Sequence, residues 1–143
     1  MNKVGLLVFL IISAGIDIKS KEVSIVLTGI FAAAAVIWNI THQEIPIIIW
    51  ACGIIPGFLL LAASWATRGA VGSGDGFVIG ICGLFLGIWT NMELLLISLF
   101  LSALYSMVLI VVKKVKRSHT IAFVPFVLIG YIIMLAIAGS EVY

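Results

Sequence analysis

Asp17 and Asp75 are the residues of this sequence best placed to do chemistry. Each is a carboxylate at the edge of apolar sequence, in "IISAGIDIKS" and "VGSGDGFVIG". Within a membrane a charged side chain costs about 2.5 to 3.5 kcal/mol near a helix centre and less near the interface, so it usually faces a partner or a watery cavity. Two carboxylates at close range cannot both ionise readily and instead share a proton. One then accepts a proton from water while the other donates to a carbonyl oxygen, which hydrolyses a peptide bond with no metal and no cofactor. Such a pair titrates as a unit. The plainer alternative is that Asp17 caps one loop and Asp75 ends another. His42 and His119 fall on connectors expected at opposite faces, so they offer no shared site.

The elements that must position the two aspartates follow from composition. The chain has 143 residues, 64% hydrophobic and 10% charged, with a mean hydropathy of +1.34, whereas soluble domains carry about 25% charged residues. That length suits a single membrane domain of about six spans. A net charge of +2 is too small, and too scattered between apolar runs, to suggest nucleic-acid binding. Cys52 and Cys82 are far apart within apolar runs and read as small core residues, not as a metal or disulfide set.

Six apolar segments stand out: 4–18, 24–38, 45–66, 76–90, 94–112 and 121–138. The expected fold is all-α and polytopic, with six transmembrane helices. The first segment imitates a signal peptide, but it becomes a full span once it runs on to Lys19, and the uncleaved span is the preferred reading. Lys and Arg alternate between connectors: Lys19 and Lys21, then Arg68, then Lys113, Lys114, Lys116 and Arg117, with none on the second and fourth. Because such residues mark the cytoplasmic side, both termini are expected outside. The short first and fourth segments place Asp17 and Asp75 at matching depth near the inner boundary.

The motif "GSGD", Gly72 to Asp75, resembles the G-x-G-D motif of intramembrane aspartic proteases, and its setting resembles the type IV prepilin peptidases. In that family a first catalytic aspartate closes helix 1 and begins a D-x-x-x-x-x-I-P stretch. "DIKSKEVS" puts Asp17 in that place. "IAFVPFVLIG", Ile121 to Gly130, is similar to the family's I-P-F-x-P-F segment. The departures are Val23 and Ser24 for Ile-Pro, Ala122 for the first proline, and Gly76 and Phe77 after the aspartate, where many members have a lysine two positions on. The resemblance spans essentially the whole chain. It implies a peptidase that removes the basic leader of prepilin-like proteins at the cytoplasmic face of the cell membrane, with Asp17 and Asp75 as the catalytic pair. The short first connector leaves no room for the zinc-binding domain that larger members carry, so the resemblance implies no methyl transfer. The presenilin group shares the G-x-G-D logic but is a poorer match, because its two aspartates lie on consecutive helices of a much longer chain.

Around the pair, Gly72, Gly74 and Gly76 are expected to let the backbone leave the helix so that an extended substrate can approach. Gly76, Gly80, Gly83 and Gly87 share one helical face and are expected to pack against another helix. Pro46, Pro56 and Pro125 should kink or start helices. Glu22 is the candidate for attracting a basic leader, with a solvated surface glutamate as the plainer reading. Glu44 and Glu93 are expected on the outer face. The basic run "KKVKRSH" sets topology and is suited to lipid headgroups. Trp38, Trp50, Trp65 and Trp89 read as interfacial anchors and core fillers. The rival functions are a proton- or cation-coupled transporter and a non-catalytic pilin-binding membrane protein. The sequence leaves the oligomeric state open.

Overall fold

The computed structural model describes residues 2–20, 22–43, 45–69, 71–113 and 121–140. Lys21, Glu44, Lys114, Lys116, Arg117 and His119 therefore lie outside the described residues, and the expectations for them are not taken further. The described residues form six helices and no strand: α1 (Asn2–Ser20), α2 (Ile25–His42), α3 (Ile47–Cys52), α4 (Ile55–Ala66), α5 (Ser73–Lys113) and α6 (Val124–Ser140). These elements divide the chain differently from the six expected spans. The third expected helix is two, and the fourth and fifth are one continuous element with a turn inside it.

The local causes are legible. Ser24 caps α2 by accepting the Leu27 N–H at 3.4 Å, so the Pro-to-Ser departure at this position starts the helix by another route. Gln43 closes α2 in the left-handed conformation, its N–H donating to Asn39 O. Pro46 flanks the start of α3, Pro56 occupies the first turn of α4, and Pro125 the first turn of α6. At those positions the missing N–H has no helical partner to lose. All three prolines start helices.

The α3–α4 break exposes the carbonyl of Gly53, and the buried side chain of Asn91 uses it. Asn91 Nδ2 donates to Gly53 O at 2.9 Å and to Ile79 O at 3.0 Å. Ile79 and Asn91 are 12 residues apart, which would be about 18 Å along a straight helix. The chain therefore folds back between them. It does so at Gly87, whose φ of 75° and ψ of 175° suit only glycine. The expected connector at Asn91 to Glu93 is helical instead, because the turn comes earlier, where a glycine permits it.

Gly87 packs closely against Ile49 and also serves as the turn. The other three members do pack as expected. A Cβ on Gly57 would lie 2.6 Å from Gly76 O and from Gly80 Cα, and one on Gly83 would strike the backbone of Gly53. Backbone-to-backbone contact of this kind is how helices associate tightly in lipid.

The core joins Leu6, Phe9 and Leu10 of α1 to Val78, Ile79 and Cys82 of α5 and to Val127 and Tyr131 of α6. Tyr131 donates from its hydroxyl to Lys3 O at 3.1 Å. Cys82 is a buried free thiol and Cys52 a half-buried one. Trp50 fills space and donates to Leu84 O, while Trp65 and Trp89 are exposed, as anchors are. Three stretches, 25–42, 47–66 and 73–113, are long and apolar enough to cross a membrane, and 124–139 is a shorter apolar helix. Ile25, Ile48 and Val112 are each more than two-thirds exposed. An exterior so apolar is that of a membrane protein.

Candidate active site

Asp17 lies in the last turn of α1 and Asp75 in the first turn of α5. Both line one cavity of about 1100 Å³. The structure brings the two residues to the lining of one cavity, whatever their depth in a membrane. The connector between α1 and α2, the one before α5, and residues 121–123 ahead of α6 all border this cavity. Three segments distant in sequence thus meet at one end of the bundle. Lys19 and Arg68 belong to that end through their connectors, while Glu93 follows the Gly87 turn, one leg of α5 away.

Asp17 is only 5% exposed, and its setting explains how a carboxylate is tolerated there. The backbone N–H of Val124 donates to Asp17 Oδ2 at 3.1 Å. Val124 opens α6, where helix N–H groups lack carbonyl partners, so a carboxylate satisfies an otherwise orphan donor. This contact puts the third resembling segment beside Asp17. Phe123 and Val124 stand beside the first aspartate because the helix start is there.

Asp75 is half-buried and folds over its own motif. Its N–H donates to Gly72 O at 3.2 Å, and a Cβ on Gly72 would lie 2.9 Å from Asp75 Oδ2. The expectation that Gly72, Gly74 and Gly76 let the backbone leave the helix is corrected here. Gly74 and Gly76 are helical, and none of the three has a positive φ. What they supply is the missing side chain. Gly72 makes room for the Asp75 carboxylate, Gly74 for Val23, and Gly76 for Leu61 and Gly57.

Glu22 is exposed and lines the same cavity, so both readings of it, leader attraction and solvated surface, share one location. Ser64 and Val23 were not foreseen as wall residues. Ser64, 7% exposed on α4, and Val23 on the first connector both line the cavity. A serine inside an apolar run is the only signal for the first. The Val124 donor is a backbone group and leaves no trace in composition. His42 is exposed at the end of α2, stacked on Trp38 with ring centroids 3.8 Å apart, and takes no part in the cavity. Among the described residues no three His, Cys, Asp or Glu side chains stand together as a metal would need.

A cavity of this size lined by two carboxylates has room for a water molecule beside a peptide carbonyl. Comparison with known proteins bears on that chemistry. The model of the type IV leader peptidase family matches residues 4–139. No curated protein and no solved structure matches.

Proposed function

The chain belongs to the type IV leader peptidase family, and from that premise we propose that Asp17 and Asp75 are its catalytic pair. The family is one of aspartic peptidases acting on prepilin substrates, and this chain is a membrane protein of that kind. The proposed reaction is endoproteolytic removal of the basic leader from prepilin-like proteins at the cytoplasmic face. The single observation that carries the reading is that one cavity is lined by both aspartates, from helices far apart in sequence.

In the proposed reaction one carboxylate takes a proton from water as the water oxygen attacks the scissile carbonyl carbon. The other carboxyl group donates its proton to the carbonyl oxygen. Collapse of the tetrahedral intermediate breaks the C–N bond: the amine leaves with the proton first taken from water, and the carboxyl group that protonated the carbonyl oxygen recovers its proton from the intermediate's hydroxyl. Which residue holds the proton at rest is a property of the pair. The connector between α1 and α2 has no space for a further domain, which supports peptidase activity without methyl transfer. Six spans with both termini outside fit the alternation of basic connectors.

Coexpression with candidate prepilins, read as a size shift on a gel, tests the pair. Asp17→Asn and Asp75→Asn should each abolish processing while leaving the protein in the membrane. Continued cleavage by either variant would remove that residue from the mechanism.

A further inference from the structure

The two aspartates sit on elements that share no turn or hairpin, so something must fix the end of α1 against the start of α5. The core holds the two helices together lower down, through residues such as Leu10 and Val78. At the level of the carboxylates the contact is different. A Cβ on Gly74 would lie 2.6 Å from Val23 Cγ2, 3.1 Å from Val23 Cβ and 3.7 Å from Val23 N. Side chain and backbone of one residue therefore lie flush on the first turn of α5. Val23 follows the helix that ends with Asp17, and Gly74 immediately precedes Asp75.

Gly74 is distinct among the motif glycines in this respect. The Cβ of Gly72 would meet the Asp75 carboxylate itself, and that of Gly76 would meet Leu61 and Gly57 on α4. Gly74 alone of the three meets the segment leading from Asp17. Val23 is half-buried and packs against the core, so it cannot swing aside without cost.

We infer that Val23 seated on Gly74 is the contact that sets the spacing of the two carboxylates, with Val23 a positioning residue. The inference rests on the reading of Asp17 and Asp75 as the catalytic pair. Adding one methyl group at position 74 forces the first connector away from α5 and pulls Asp17 and Asp75 out of register. Removing the Val23 methyls reopens the space.

The test measures kcat and KM for prepilin cleavage per folded enzyme in four proteins: the native chain, Gly74→Ala, Val23→Ala, and the double variant. A misplacement of about 1 Å in a reacting constellation costs about a hundred-fold in rate. Gly74→Ala is expected to lose about that factor in kcat with little change in KM, and adding Val23→Ala should recover most of it. Full activity in Gly74→Ala, or a double variant no better than Gly74→Ala, would overturn the inference. A second measurement is independent of catalysis. Thermal unfolding in detergent should show Gly74→Ala less stable than the native chain and the double variant more stable than Gly74→Ala, because substitutions at contacting residues couple. Losses that simply add would also overturn it. If the native chain cleaves no prepilin while the two substitutions couple, the contact stands and the catalytic reading fails.

Discussion

The N–H of Val124 and the carboxylate of Asp17 are joined at 3.1 Å, so the start of α6 is tied to the end of α1. Tyr131 and Lys3 make a second tie further along the same two helices. Two such points fix α1 and α6 as antiparallel neighbours and hold Asp17 at the cavity wall. The first prediction follows from the donor being backbone. Val124→Pro removes that N–H and should lower kcat by about ten- to a hundred-fold through lost positioning. Val124→Ala keeps the donor and should cleave at near-native rate, although the lost packing of a fully buried side chain lowers stability. Steady-state kinetics of the purified variants compare the two.

Glu22 sits on the rim of the cavity and offers a negative charge to whatever enters. Glu22→Lys should raise KM for a substrate with a basic leader by several-fold and leave kcat unchanged, because the residue is exposed and its interaction is screened. The effect should shrink as salt is raised. KM measured across ionic strengths is the check.

Gly87 holds a backbone conformation that a side chain resists, and a Cβ there would also lie 3.2 Å from Ile49 Cγ2. Gly87→Ala should destabilise the fold by about 1 to 3 kcal/mol. Its effect on kcat per folded molecule should be small, since the turn is one helical leg away from Asp75. Unfolding in detergent, followed by circular dichroism, measures the loss.

Asn91 bridges Gly53 O and Ile79 O with no exposure to solvent. Asn91→Leu leaves two buried carbonyls without that donor and should cost about 1 to 3 kcal/mol. Asn91→Asp should be worse, because a carboxylate presents oxygen to oxygen. Thermal aggregation in detergent ranks the three proteins.

Glycines on the packed face and on an open face should behave oppositely. At Gly83 an added methyl group strikes the Gly53 backbone, whereas at Gly29 nothing lies within 4 Å. Gly83→Ala should lower the yield of folded protein sharply, and Gly29→Ala should leave yield unchanged or slightly raised by helix propensity. Size-exclusion profiles from equal membrane preparations show the difference.

Apolar content and the spacing of charged connectors were enough to mark this chain as a helical membrane protein. The placement of two carboxylates in apolar sequence was enough to nominate Asp17 and Asp75. Those features are local: a carboxylate amid apolar neighbours and a run of apolar residues announce themselves wherever the chain goes next. Tertiary structure decided the rest. A glycine's neighbours are invisible in one dimension, so Gly87 read as one more packing position when it is also the turn, and Gly74 read as loose backbone when it is the seat of Val23. The donor that holds Asp17 belongs to the backbone of Val124, and a main-chain N–H becomes a partner only when its helix starts beside the acceptor. Which residues touch across a bundle depends on how helices cross, and side-chain type alone does not encode that.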